Sequence, residues 1–429
     1  MTPNNIPPLR RETELLLQCA RSYIDPIHGN DLRNLAGEGI DWQYVIRTAL
    51  EHGVMPMLYL GLHSFCSEAV PTVTMHQLRE LFYANAQRNL FLSSELLKLL
   101  RLLDTHGISA IPFKGPVLSV SAYKNLSLRQ CRDLDILVRK KDILTAKDLL
   151  ISEGYRPWRA MTQAQETSHL RSHHALVFLP KSEMYSVDLH WAIAPPHHSF
   201  PLDAEALWER LELRSFAGKQ IPALPPQDLI LVLCIHGSKH GWERLIWICD
   251  IAELIRSRPE IDWKPTLEEA HKVGSFRRVL LALLLVRDLL GVNLPHQVLE
   301  AADSYPGVKR LSRFVTRQLF SDEKVYMLSR FRRTVLVLRS NERIQDQFIY
   351  FLHQLKVAMV PNSKDHDVVS LPLALSFLYY MIRPIRLVIT YAFIPLVRPN
   401  EGRNGGNPER GTGYFFGCSM SWKSRAKRL

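Results

Sequence analysis

The run Arg132-Asp133-Leu134-Asp135-Ile136-Leu137-Val138 constrains this chain more than any other segment. It alternates as a strand does, and in a strand side chains two residues apart share a face. Asp133 and Asp135 therefore project together, while Leu134 and Ile136 point into a core. Two carboxylates held side by side repel, and a folded protein commonly balances such a pair with a cation. A solvated edge strand that carries two Asp by chance is the plain alternative. The flanking sequence weighs against it.

With 429 residues, the chain is long enough for two or three domains with real cores, and its 46% hydrophobic and 22% charged content is that of an ordinary soluble globular protein. Cys19, Cys66, Cys131, Cys234, Cys249 and Cys418 are scattered, with no C-x-x-C pair and no zinc-like spacing. They read as reduced thiols, which points to the cytoplasm. Met1–Asn5 lack the charged and apolar regions of a secretory signal, so export is not expected. The formal net charge is +12, and residues 400–429 alone hold six Lys/Arg against two Glu. Rich in Gly, Asn, Ser and Arg, the segment 399–429 reads as a disordered basic tail. A basic balance fits anionic partners (nucleotide, nucleic acid or acidic lipid) and a solubilising surface equally well, so charge alone does not choose.

Periodicity divides the rest. Residues 1–106 read as helical, most clearly over His76–Thr105, where Leu78, Leu81, Phe82, Ala86, Leu90, Leu97 and Leu100 follow a three- and four-residue spacing. Ser94 is the one polar step in that stripe, and Gly107 ends the helix. Residues 107–192 change character. Ile108–Phe113, Arg132–Val138, His174–Leu179 and Tyr185–Trp191 read as strands, with helices over Pro116–Leu126 and Lys141–Glu153. Residues 193–398 return to a helical pattern, with 225–256 expected against the cleft of the preceding unit. The predicted class is α+β, a small mixed sheet flanked by N- and C-terminal helical regions.

The most apolar segment, Leu373–Val397, is broken by Arg383, Pro384 and Arg386 and falls short of the roughly 18 uninterrupted apolar residues of a membrane span. Two readings fit it. It is either a pair of buried helices joined by a kink, or an interfacial helix anchored by Arg383, Arg386 and Arg398 that makes peripheral membrane contact.

Chemistry concentrates in residues 107–192. Phe113-Lys114-Gly115-Pro116 follows a strand and opens a helix, whose N-terminus offers unpaired N–H groups and partial positive charge to a phosphate. Gly115 allows close backbone approach, and Lys114 adds a point charge. A third carboxylate, Asp188, sits between Val187 and Leu189 on a later strand. Asp133, Asp135 and Asp188 beside a phosphate cradle can hold two Mg²⁺ ions, with Asp188 placed to deprotonate an acceptor hydroxyl. Arg129 is a natural phosphate ligand, with a salt bridge to a carboxylate as its alternative. In the helical block Asp228–Ile255, His236, Lys239, His240, Glu243, Trp247 and Asp250 fall within about a third of a turn. That stripe suits either a cleft wall, with Lys239 on phosphate and both His residues on nucleotide or acceptor, or a buried polar network. His236 and His240 as half a zinc site lack the H-E-x-x-H pattern. His173-His174 and His197-His198 read as surface or turn residues.

These blocks together resemble the polymerase-β-type nucleotidyltransferase superfamily, and more narrowly the uncharacterised bacterial nucleotidyltransferase family with a Lys-Gly turn. They are Phe113-Lys114-Gly115, Arg129-x-x-x-Asp133-x-Asp135-x-Leu137-Val138, Val187-Asp188-Leu189-His190-Trp191, His236-Gly237-x-x-His240-x-Trp242 and Trp247-x-x-Asp250-Ile251. The resemblance implies an enzyme that moves an NMP group from an NTP, ATP by default, to an acceptor. Asp133 and Asp135 would be metal ligands, Asp188 the third ligand and base, and Gly115 the triphosphate turn. Pro116 stands where the superfamily has Ser, so Lys114 or Ser119 would have to supply the phosphate contact. The acceptor is open: a small molecule, a sugar or lipid-linked intermediate, a protein or RNA. A catalytically degenerate fold serving as an interaction or regulatory module is the alternative, and a nucleic-acid-binding protein using the basic tail is a further one.

Overall fold

The alternating strand lies inside the structure, paired on both sides. A computed structural model describes residues 9–37, 39–200, 204–321, 326–360 and 373–388. The basic tail, and the apolar segment beyond Val388, lie outside the described residues. The chain divides into two compact units, residues 1–353 and 354–429.

Helices α1 (Arg11–Cys19), α2 (Pro26–Leu35), α3 (Trp42–His52) and α4 (Met55–Phe65) lead to the long α5 (Thr72–Thr105). Gly107, at φ +70°, ends α5 as its position predicts, with Ile108 N–H bonded to Leu103 O at 2.9 Å. The inner face of α5 differs from the leucine stripe expected. Leu90 is 63% exposed, while Asn85 and Asn89 are buried with Leu92, Leu96, Leu99 and Leu103. The two amides explain the phase. Asn89 Nδ2 donates to Leu126 O at 2.6 Å and Arg129 O at 2.7 Å, and Asn85 Nδ2 donates to Ser127 O at 2.8 Å. Buried polar side chains thus satisfy loop carbonyls that would otherwise be orphaned.

The α/β unit follows as β1 (Ala110–Pro112), α6 (Gly115–Ser121), β2 (Asp133–Val138), α7 (Ile143–Ser152), β3 (Arg156–Pro157), α8 (Gln163–Ser172), β4 (Ala175–Leu179) and β5 (Ser186–His190). The sheet order is β1-β2-β5-β4-β3; β2 and β5 run parallel and the other neighbours antiparallel. Leu134, Ile136, Val138, Val187 and Leu189 fill one core with α5 and α7 residues. Helix α6 stops at Ser121, short of the expected Leu126, and the chain turns at Lys124, φ +56°.

Beyond it lie α9 (Ala204–Glu209), β6 (Glu212–Phe216) and β7 (Lys219–Ala223). Helices α10 (Pro226–Lys239), α11 (Leu245–Ser257), α12 (Trp263–Lys272), α13 (Phe276–Leu290), α14 (His296–Asp303) and α15 (Pro306–Leu319) come next, and then α16 (Tyr326–Ser340), α17 (Ile344–Met359) and α18 (Tyr379–Val388). The block read as one helix over Asp228–Ile255 is two. Gly241, at φ +65°, turns the chain, and the Trp242 ring folds back onto Gly237, where a Cβ would lie 2.2 Å from the ring.

This break sends Asp250 away from the cleft. Arg129, expected at a phosphate, forks onto Asp250 instead, Nε to Oδ1 at 2.8 Å and Nη2 to Oδ2 at 2.9 Å; Tyr123 Oη donates to Oδ1 at 2.7 Å. All three side chains are buried, so the ion pair ties the loop before β2 to α11. Asp250→Ala leaves the guanidinium uncompensated and should cost about 3–5 kcal/mol in urea unfolding, whereas Arg129→Met with Asp250→Leu should cost far less. Equal losses in the two variants would rule out this account of the pair.

Candidate active site

Parallel pairing of β2 with β5 sets Asp135 directly opposite Asp188. The alternation that turns Asp133 and Asp135 to one face turns Asp188 and His190 to that same face, with Val187 and Leu189 in the core. Asp135 Oδ1 lies 2.9 Å from Lys114 Nζ and 3.0 Å from His190 Nε2. Asp135 Oδ2, Asp188 Oδ1 and His190 Nδ1 are buried without a hydrogen-bond partner. One ligand atom from each of these three residues lies within 4.8 Å of the others, a grouping that no other His, Cys, Asp or Glu set reaches among the described residues. Unpaired buried acceptors are costly, and carboxylate oxygens with a neutral imidazole nitrogen suit a divalent cation.

The electrostatics carry the mark of that crowding. Burial, reinforced by the charges of Asp133 and Asp135, pushes the Asp188 carboxyl up to about 8. Burial and Asp135 also raise Asp133, which is partly accessible. Asp135 goes the other way: burial opposes its charge, but Lys114 and His190 outweigh burial and hold it below the usual carboxylate range. Burial keeps His190 neutral against the pull of Asp135.

The Phe113-Lys114-Gly115 block frames this centre. Phe113 meets the His190 ring edge-on with centroids 5.2 Å apart, and its own ring lies 5.3 Å from Lys114 Nζ. Gly115 adopts φ +60°, and a Cβ there would lie 3.1 Å from Asp133 O, so the turn needs glycine to pass this close to β2. Ser119, expected near a phosphate, points elsewhere. Its hydroxyl is fully buried, donates to Gly115 O at 3.2 Å and faces Cys131 Sγ at 3.4 Å. Phe113 also lines a cavity of about 270 Å³, with Lys124, Arg214 and Arg258 among its other walls and none of the three Asp residues in its lining.

The end of α10 closes one side. His236 Nδ1 is 3.3 Å from Lys114 Nζ, and Lys239 Nζ is 3.0 Å from His174 Nε2. Burial and Lys114 lower Lys239 to about 8, while Asp135 and Asp188 pull it back up. Burial first, then neighbouring cations, keeps His174, His236 and His240 neutral. The polar stripe therefore splits. His236 and Lys239 reach the acidic centre; His240 packs its ring against His236 and Trp247, at centroid distances of 4.7 and 5.1 Å. Glu243 pairs with Arg333 at 2.5 Å.

Two residues were missed. His190 follows from the rule that paired Asp133 with Asp135, since it stands two residues after Asp188 on a strand. His174, read as a surface or turn residue, meets Lys239 here, and its ring lies 5.5 Å from that of His190. No local pattern announces this, because its partner is 65 residues away.

Residues 38–291 match the model of a family described as an uncharacterised nucleotidyltransferase. No curated protein and no solved structure matches the chain.

Asp188 gives the site a pH signature. Its carboxyl titrates near 3.8 unperturbed and about 8 when folded, so across that window the folded state holds the extra proton and stability falls as pH rises. Asp188→Asn abolishes this. In EDTA the variant should exceed the parent by at least about 2 kcal/mol above about pH 8, the gap closing toward about pH 4. Urea unfolding across that range decides it; parallel curves would exclude a strained Asp188.

Proposed function

Because the chain belongs to the uncharacterised nucleotidyltransferase family, we propose that it transfers a nucleoside monophosphate from an NTP, with ATP the default donor, to an acceptor hydroxyl. The observation that carries this is the pairing of Asp135 with Asp188 across two parallel strands, with one ligand atom each from Asp135, Asp188 and His190 within 4.8 Å of one another.

In this proposal Asp135, Asp188 and His190 would hold Mg²⁺, and Asp133, on the same face, would add a ligand for a second ion. Bound there, Mg²⁺ would neutralise charge on the phosphoryl group under attack and acidify the acceptor hydroxyl. The acceptor oxygen forms a bond to the α-phosphorus as the bridge to the β-phosphate breaks, and pyrophosphate leaves. Asp188 holds its proton while the centre lacks a cation; ionised beside the metal, it would accept the hydroxyl proton. Lys114, paired with Asp135, would turn to phosphate oxygens when a triphosphate enters beside Gly115. Lys239 adds positive charge from the opposite wall, and the neutral imidazole of His236 donates an N–H group to nucleotide or acceptor, with His240 packed behind it. Acceptors compatible with this chemistry are a small molecule, a sugar or lipid-linked intermediate, a protein side chain or an RNA end.

Incubating purified protein and a cell extract with α-³²P-labelled NTPs and Mg²⁺ tests the proposal. Label transfer should fall at least about hundredfold in Asp133→Ala/Asp135→Ala and about 10–100-fold in His190→Ala, while Ser119→Ala stays near the parent. Transfer that persists in the double Asp variant would remove the site from the reaction. Nucleotide binding without transfer by the parent would favour the non-catalytic module.

A further inference from the structure

The cavity that shares Phe113 with the acidic centre has the opposite charge. It lies between α6, the β6–β7 hairpin, the start of α10 and the end of α11. Val117, Phe216, Ile221, Leu224, Leu229 and Leu254 give it an apolar floor, and all six are buried. Its charged side chains are the more accessible ones: Lys124 is exposed, and Arg214 and Arg258 are half-buried. No Asp or Glu belongs to the lining. Glu212 pairs with Arg214 at 2.5 Å and Glu260 approaches Arg258 at 3.5 Å, so two carboxylates flank three cations. Lys124 Nζ donates to Ser121 O at 2.9 Å and forms no ion pair among the described residues. Burial, then Arg258 and Arg214, lower its ammonium from the ordinary lysine value, against the pull of Glu260. Like charges gathered at the edge of a low-dielectric cavity focus a field that attracts an anion.

We propose that this cavity binds a small anionic amphiphile, a phosphate or carboxylate head carried on an apolar body. The two guanidinium groups fork onto the head oxygens, and Lys124 adds a point charge. The body lies on the apolar floor, an arrangement typical of small-molecule sites, where a few polar groups orient a mostly apolar ligand. A volume of about 270 Å³ exceeds what a lone water or inorganic anion fills. Nucleotidyl transfer at the acidic centre calls on none of Lys124, Arg214 and Arg258, and none of Asp133, Asp135 and Asp188 lines the cavity, so this is a second site.

Isothermal titration calorimetry of the full-length protein with octyl phosphate, octanoate, octanol and inorganic phosphate reads this out. At least one of the two anionic amphiphiles should bind, and the tighter one identifies the head group. Octanol and inorganic phosphate should bind at least about tenfold more weakly, since each lacks one half of the ligand. Lys124→Asn/Arg214→Gln should weaken the anionic amphiphile at least about tenfold, with Asn chosen because it accepts the φ of +56° at position 124. Ala223→Phe, which fills the cavity from its lining, should weaken it as much while keeping its circular dichroism spectrum. The charge variant, altered at exposed and half-buried positions, decides the matter if Ala223→Phe does not fold. Three outcomes overturn the proposal. One is that neither anionic amphiphile binds the parent. Another is that octanol binds as tightly as they do. The third is that the charge variant, or a folded Ala223→Phe, binds like the parent.

Discussion

Two carboxylates facing each other across parallel strands are the constraint around which the α/β unit is arranged. Left in a buried place, Asp135 and Asp188 repel, and the surrounding elements answer that repulsion separately. Lys114 and His190 keep Asp135 ionised, whereas Asp188 retains its proton. Phe113 supports both partners of Asp135, and Gly115 lets the turn carrying Lys114 approach β2. An internal ammonium thus stands beside a cluster with the donor set of a cation site.

A second set of interactions holds that geometry without taking part in it. The loop entering β2 is pinned by Asn85 and Asn89 from α5 and by the fork of Arg129 onto Asp250 of α11. These are buried polar contacts in which every partner matters, because a lone buried charge or amide costs more than the pair contributes. They explain why polar residues occupy helix faces where apolar ones were expected.

The acidic strand, the common face of Asp133 and Asp135, the outward Asp188 and the glycine that ends α5 were all legible in the sequence. Each depends on a local period or on one residue's backbone preference. The hairpin of β6 and β7 was not, since its turn is Ala217-Gly218 with φ +47° and +76° rather than an Asn-Gly signal. The phase of α5 was missed because Leu and Asn compete for the inner face, and only the loop carbonyls opposite decide between them. For the same reason the stripe on α10 and α11 was read as one surface, although the turn at Gly241 sends its members to different partners.

Sequence alone therefore determined which residue types line the centre and what charge they bring, because alternation and composition are properties of neighbours. Tertiary structure decided which of them meet. Arg129 finds Asp250 across 121 residues, Lys239 finds His174 across 65, and Asp135 finds His190 across 55. Which cation a carboxylate meets depends on register and packing between elements. Once buried, either partner is too costly to leave alone, so those pairings fix the site.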